Sequence, residues 1–83
     1  MSVLNEIAWL LPELAERQQK IAQYILDNPE AILSMSSSRF AENAGVSQSA
    51  VIKFSQKIGM KGFPALKIVI SEELGRNNQF KTY

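Results

Sequence analysis

The chain has 83 residues, 46% hydrophobic and 20% charged, with a formal net charge of +1; this is one domain of ordinary globular composition with a modest core. Cysteine and histidine are both absent, which excludes a disulfide framework, a thiolate metal site and the usual imidazole base, so neither cofactor nor metal is expected and catalysis has only scattered carboxylates to draw on. No run of about 18 apolar residues is present to span a membrane, and Met1 to Leu11 carries Glu6 without a basic leader, so a cytoplasmic protein without a secretion signal is expected.

Apolar residues recur at helical spacing almost throughout, with no competing strand alternation, and predict an all-α chain. Val3, Leu4, Ile7, Ala8 and Leu11 form a first stripe that ends at Pro12. A second helix carries Ile21, Ala22, Ile25 and Leu26 and is expected to stop at Asp27-Asn28. Asn28 is then read as the N-cap of a short helix through Ile32 and Leu33, with Pro29 at its first position. The serines of 34–38 offer caps for a helix over 37–44 that Gly45 ends, and Ser47 caps the next, from about Gln48 to Ile58. Gly59, Gly62 and Pro64 mark a tight connection to a last helix containing Leu66, Val69, Ile70 and Leu74, which Gly75 is expected to close. Residues 76–83 are polar and aperiodic at their start and read as the beginning of a linker or a disordered tail. The expected architecture is a compact bundle of five to six helices, with one domain over 1–75.

Residues 37–56 satisfy the demands of a helix-turn-helix. Two helices meeting at a steep angle need a small residue at their contact, and Ala41 supplies it. The turn needs a residue that accepts positive φ, and Gly45 stands four positions later. Phe40 and Ala44 on the first helix, Val46 in the turn, and Val51 and Phe54 on the second are the apolar groups that close the unit. On a wheel of about 100° per residue, Val51, Phe54 and Ile58 fall on one side, while Ser49, Lys53 and Gln56 fall together opposite, flanked by Ile52 and Lys57.

Charge follows the same division. Residues 1–45 hold six acids (Glu6, Glu13, Glu16, Asp27, Glu30, Glu42) against three bases (Arg17, Lys20, Arg39), whereas residues 46–71 hold Lys53, Lys57, Lys61 and Lys67 and no acid. Such a stretch suits a polyanion, and the outer face of a helix-turn-helix second helix is the one that enters the major groove of double-stranded DNA. Ser47, Gln48, Ser49, Ile52, Lys53 and Gln56 are the expected base readers. The Gln amides suit adenine, Lys53 suits guanine, and Ile52 suits a thymine methyl. Ser36, Ser37, Ser38, Lys57, Lys61 and Lys67 are the expected phosphate contacts. Each group also has a plainer use. A Ser/Lys/Gln stripe serves as a solvated face, the serines as caps, the lysines as solubility groups, and Ile52 as a packing residue. Their coincidence on the outside of one motif helix favours DNA. The alternative is a protein-interaction module on the same scaffold. Because one motif reads few base pairs, a homodimer is expected, for which the first stripe, with Trp9 and Leu10 off its main face, offers apolar surface; core packing with scattered exposure is the plainer use of the same residues.

The run Ser47-Gln-Ser-Ala-Val-Ile-Lys-Phe-Ser-Gln-Lys-Ile-Gly-Met-Lys-Gly-Phe63, preceded by Ala41-Glu-Asn-Ala-Gly-Val46 and by Lys20-Ile-Ala-Gln-Tyr-Ile-Leu-Asp-Asn-Pro29, resembles the N-terminal domain of RpiR-type bacterial transcription regulators over about 3–75. The Lys-Ile-Gly-x-Lys-Gly-Phe ending is the distinctive part. The resemblance implies a dimeric DNA-binding domain that regulates sugar or amino-sugar metabolism genes. It further implies that a phosphosugar effector acts only through a C-terminal sensing domain, which is missing from this chain. Three positions depart from the family pattern: Lys53 stands where arginine is usual, Ala15 where Ser or Thr usually caps the second helix, and Ser37 where an aliphatic residue is usual.

Overall fold

A computed structural model describes the backbone of residues 2–81 and side-chain burial at 2–75. Five α-helices and two short 3-10 turns account for its regular structure, with no strand among the described residues. The first helix, α1 (Val3–Leu10), starts where the Ser2 hydroxyl accepts from the Asn5 amide at 3.2 Å. It tightens into a 3-10 turn, Leu11–Glu13, at Pro12. Val3 and Ile7 are buried, but Ala8 of the expected stripe is exposed, so the inward face is narrower than the sequence pattern. The next helix, α2 (Glu16–Asp27), begins at Ala15 without a side-chain cap and buries Ile21, Ala22 and Ile25. Its Gln19 amide donates to the Leu11 carbonyl at 3.0 Å, tying the two helices at their corner.

Asn28 does not open the following segment as expected. It closes α2: its backbone N–H donates to the Tyr24 carbonyl at 2.9 Å and its side-chain amide nitrogen to the same carbonyl at 3.3 Å, and the next piece is a 3-10 turn, Ala31–Ser34, entered from Glu30. A residue before proline is pushed out of the α region, so the Asn28-Pro29 step ends one helix before another can start.

The helix-turn-helix pair, α3 (Ser37–Ala44) and α4 (Gln48–Lys57), has the expected boundaries, capped by Ser36 and Ser47 respectively. Gly45 adopts φ 74° and sends its amide back to the end of α3, while the Val46 amide reaches the Ala41 carbonyl at 3.0 Å. This paired closure requires a left-handed residue, which costs a non-glycine residue roughly 1–2 kcal/mol. Gly59, at φ 90°, ends α4 in the same way, with the Met60 amide on the Ser55 carbonyl at 2.9 Å.

The last helix, α5 (Phe63–Lys81), buries Phe63, Leu66, Ile70 and Glu73 along one stripe. The expectation that Gly75 closes it is corrected: the helix runs through Gly75 to Lys81. An internal glycine costs about 1 kcal/mol relative to alanine, which a helix of 19 residues tolerates, and no proline follows to stop it. The side chains of the expected linker lie outside the described residues. Phe40 of α3 is fully buried at the centre, with its ring edge-on to Tyr24 of α2 at 5.2 Å and tilted against Phe63 of α5 at 5.0 Å. Ala44 and Val46, expected to close the motif core, are only half-buried at its rim.

One tertiary tie has no sequence signal. The buried Glu73 carboxylate accepts from the Val3 and Leu4 amides, at 3.1 and 3.2 Å, and so holds the start of α1 against α5. Free N–H groups at a helix start favour an anion there. No described helix is long and apolar enough to cross a membrane.

Candidate nucleic-acid interface

The recognition geometry rests on the two faces of α4. Val51 and Phe54 point into the core, joined by Ile58 just past the helix end and by Ser55, whose buried hydroxyl donates to the Val51 carbonyl at 3.0 Å. That bond satisfies a polar group that would otherwise be costly inside an apolar core. Ser49, Ile52, Lys53, Gln56 and Lys57 are all exposed on the other side. Ile52 is 38% exposed, an apolar group on this face that the core does not enclose. The outer face thus presents a hydroxyl, an amide, two ammonium groups and one aliphatic surface, with no carboxylate among its own residues.

At the start of α4 the expected residues are partly engaged already. The Ser47 hydroxyl accepts from the Ala50 amide at 3.1 Å as the helix cap. The Gln48 amide nitrogen donates to the Ser37 hydroxyl at 2.8 Å, bridging the starts of α4 and α3. Gln48 is therefore held toward α3 and not freely presented, although it remains exposed. Ser36 caps α3 by accepting from the Arg39 amide at 3.1 Å, and Ser38 is exposed in its first turn. The two helix starts thus lie side by side, linked through Gln48 and Ser37.

The lysines separate into two groups. Lys57, in the last turn of α4, and Lys61, in the connection beyond it, are exposed. Lys67 is not in their position. Its ammonium donates to the Met35 carbonyl at 2.8 Å and lies 5.2 Å from the centre of the Phe63 ring, half-buried. One of its three ammonium donors is held by a carbonyl and the charge faces an aromatic ring, so Lys67 ties α5 to the segment before α3. The sequence did not single out Arg17 and Gln18, yet these residues at the start of α2 border the groove that runs along Ser47, Ser49 and Lys53. Only the net run of bases was visible in the sequence, and Arg17 stands in the acidic half.

Comparison with known proteins agrees with this geometry. A model of the helix-turn-helix domain of the rpiR family matches residues 1–77. The uncharacterized HTH-type transcriptional regulator YfhH of Escherichia coli (strain K12) is 52% identical over 61 residues, 74% of this chain and 22% of that protein. The chain therefore spans about a fifth of the length of that curated relative. Among solved structures, the N-terminal domain of ybbH from Bacillus subtilis, assigned as a transcriptional regulator, superposes with a TM-score of 0.78 at 29% identity, covering 82% of this chain and 83% of that one. Vibrio vulnificus NanR, solved in complex with ManNAc-6P, superposes with a TM-score of 0.85 at 19% identity, covering 89% of this chain and 28% of that one, and so shares the fold.

Proposed function

This chain belongs to the rpiR family of helix-turn-helix domains, and from that premise we propose that it binds a specific double-stranded DNA site by laying the outer face of α4 in the major groove. The observation that carries the reading is the division of that helix. Its apolar side is sealed in the core, and its exposed side carries groups that hydrogen-bond base edges and attract phosphate, free of acids. Ser49, Ile52, Lys53 and Gln56 read bases, with Ser47 and Gln48 at the edge of the readable set because of their bonds within the protein. Ser36, Ser37 and Ser38 present the start of α3 to the backbone, and Lys57 and Lys61 extend the phosphate contacts. Lys67 gives one donor to the fold and offers its remaining donors to the phosphates from the half-buried start of α5.

The domain acts at the N-terminus of a cytoplasmic bacterial regulator of sugar or amino-sugar genes. Its signal is a phosphorylated sugar sensed by a further domain; the fold-related NanR was solved with ManNAc-6P. Two copies bind together, since a single motif spans too few base pairs for specificity. Trp9, 80% exposed beside the exposed Ala8, supplies apolar surface for that pairing.

Selection of duplexes from a randomised pool by the 83-residue chain is expected to converge on one motif. Binding to it should weaken steeply with salt, each neutralised phosphate contributing about −0.9 to the slope of log affinity against log salt. Recovery of no duplex even at low salt would overturn the reading and leave the protein-interaction module in its place.

A further inference from the structure

We propose that the start of α2 is a second arm of the DNA interface, with Arg17 anchoring a phosphate beside the reading helix; this rests on the DNA-binding reading of α4. A groove of about 220 Å³ separates the first turn of α2 from the first turn of α4. Arg17 and Gln18 line one wall, and Ser47, Ser49 and Lys53 line the other. Ser49 and Lys53 belong to the reading face, so the groove opens directly onto it. Its lining holds two cations, Arg17 and Lys53, and no acid, and Arg17 comes from the half of the chain where acids outnumber bases.

That local reversal follows from helical geometry. Glu16, the neighbour of Arg17, lies about 100° away around the helix. It faces a different groove, with Ala8, Leu11 and Pro12. Lys20 also lines that second groove, so Arg17 is the cation of α2 that turns toward α4. A helix seated in the major groove is flanked by the two sugar-phosphate backbones, and its N-terminal residues lie closest to the bases. A cation bordering those same residues from the adjacent helix therefore meets a backbone phosphate. Arginine suits the task because its planar fork matches two phosphate oxygens at once and keeps its charge at every working pH. Gln18 adds a neutral amide donor on the same wall.

The test uses the duplex selected by the unaltered chain, together with an unrelated duplex of equal length, titrated at several salt concentrations. Arg17→Gln is expected to lower affinity for both by about five- to tenfold near 0.1 M salt and to reduce the salt slope by about 0.9, the signature of one lost phosphate contact. Arg17→Lys should keep the slope. Lys20→Gln, which removes the same charge one turn along α2 at a residue that borders the other groove and not this one, should leave both nearly unchanged. Equal losses in Arg17→Gln and Lys20→Gln would mean that only bulk charge matters and would overturn the proposal, as would an Arg17→Gln variant that binds like the parent. Both results leave the reading of α4 standing, whereas failure of the unaltered chain to retain any duplex removes both. Arg17 is exposed, so the variants are expected to melt as the parent does, and circular dichroism checks this.

Discussion

Phe40→Ala is expected to cost about 3–5 kcal/mol of folding stability, a large share of the roughly 4–12 kcal/mol that a domain of this size commands. The side chain is fully buried and its ring meets rings from two other helices, Tyr24 of α2 and Phe63 of α5. Truncation removes the transfer free energy of the ring. It also opens a void at the meeting point of three helices, and each aromatic pair lost adds about 0.5–1.5 kcal/mol beyond buried area. The void cannot readily close, because α3 is fixed at its far end by the Gly45 turn and at its near end by the Ser36 cap. Thermal unfolding followed by circular dichroism should show the midpoint falling by more than ten degrees, at about 4–8 °C per kcal/mol for a domain of this length. Phe40→Leu, which keeps most of the volume, should lose less. A loss below about 1 kcal/mol for the alanine variant would show that the three-ring contact is not what orients α3 against the rest.

The second large effect concerns function. Lys53→Ala is expected to relax base preference at one position of the site by about 1–3 kcal/mol, whereas Lys61→Ala lowers affinity for all sequences alike and reduces the salt slope by about one. The physical difference is placement. Lys53 lies mid-helix on the exposed face of α4 and Lys61 beyond the helix end; in the proposed docking the first faces base edges and the second faces the sugar-phosphate backbone. Competition binding between the selected duplex and its single-base variants measures the first, and salt titration measures the second. If both substitutions weakened every duplex equally, the division between readers and anchors would fail. Since lysine lacks the arginine fork, Lys53→Arg should sharpen the preference.

Much of the site was legible because its determinants are local. The helix starts at Ser36 and Ser47 are written in residues within one turn of each cap, and the closure of α3 is written in a glycine four residues after a small contact residue. The two faces of α4 follow from a period that survives any packing, so Val51 and Phe54 inward and Lys53 and Gln56 outward needed no tertiary information. The errors share an opposite character. A cap residue with proline behind it fits either neighbouring helix, so the sequence around Asn28 points to the one after it, and only the carbonyl of Tyr24 decides for the one before. A glycine near the end of a periodic stretch, such as Gly75, is ambiguous between a stop and a tolerated defect, and the helix continues through it.

The amino-acid order by itself determined that this chain is helical, where its central motif begins and turns, and which side of α4 faces outward, since each depends on residues within a few positions of one another. Tertiary structure alone decided which polar groups remain available. It tied Lys67 to the Met35 carbonyl, turned Gln48 toward Ser37, set Glu73 on the amides of Val3 and Leu4, and brought Arg17 alongside Ser49 and Lys53. A hydrogen bond or a groove between distant segments depends on how whole helices pack, and helical period carries no record of the partner.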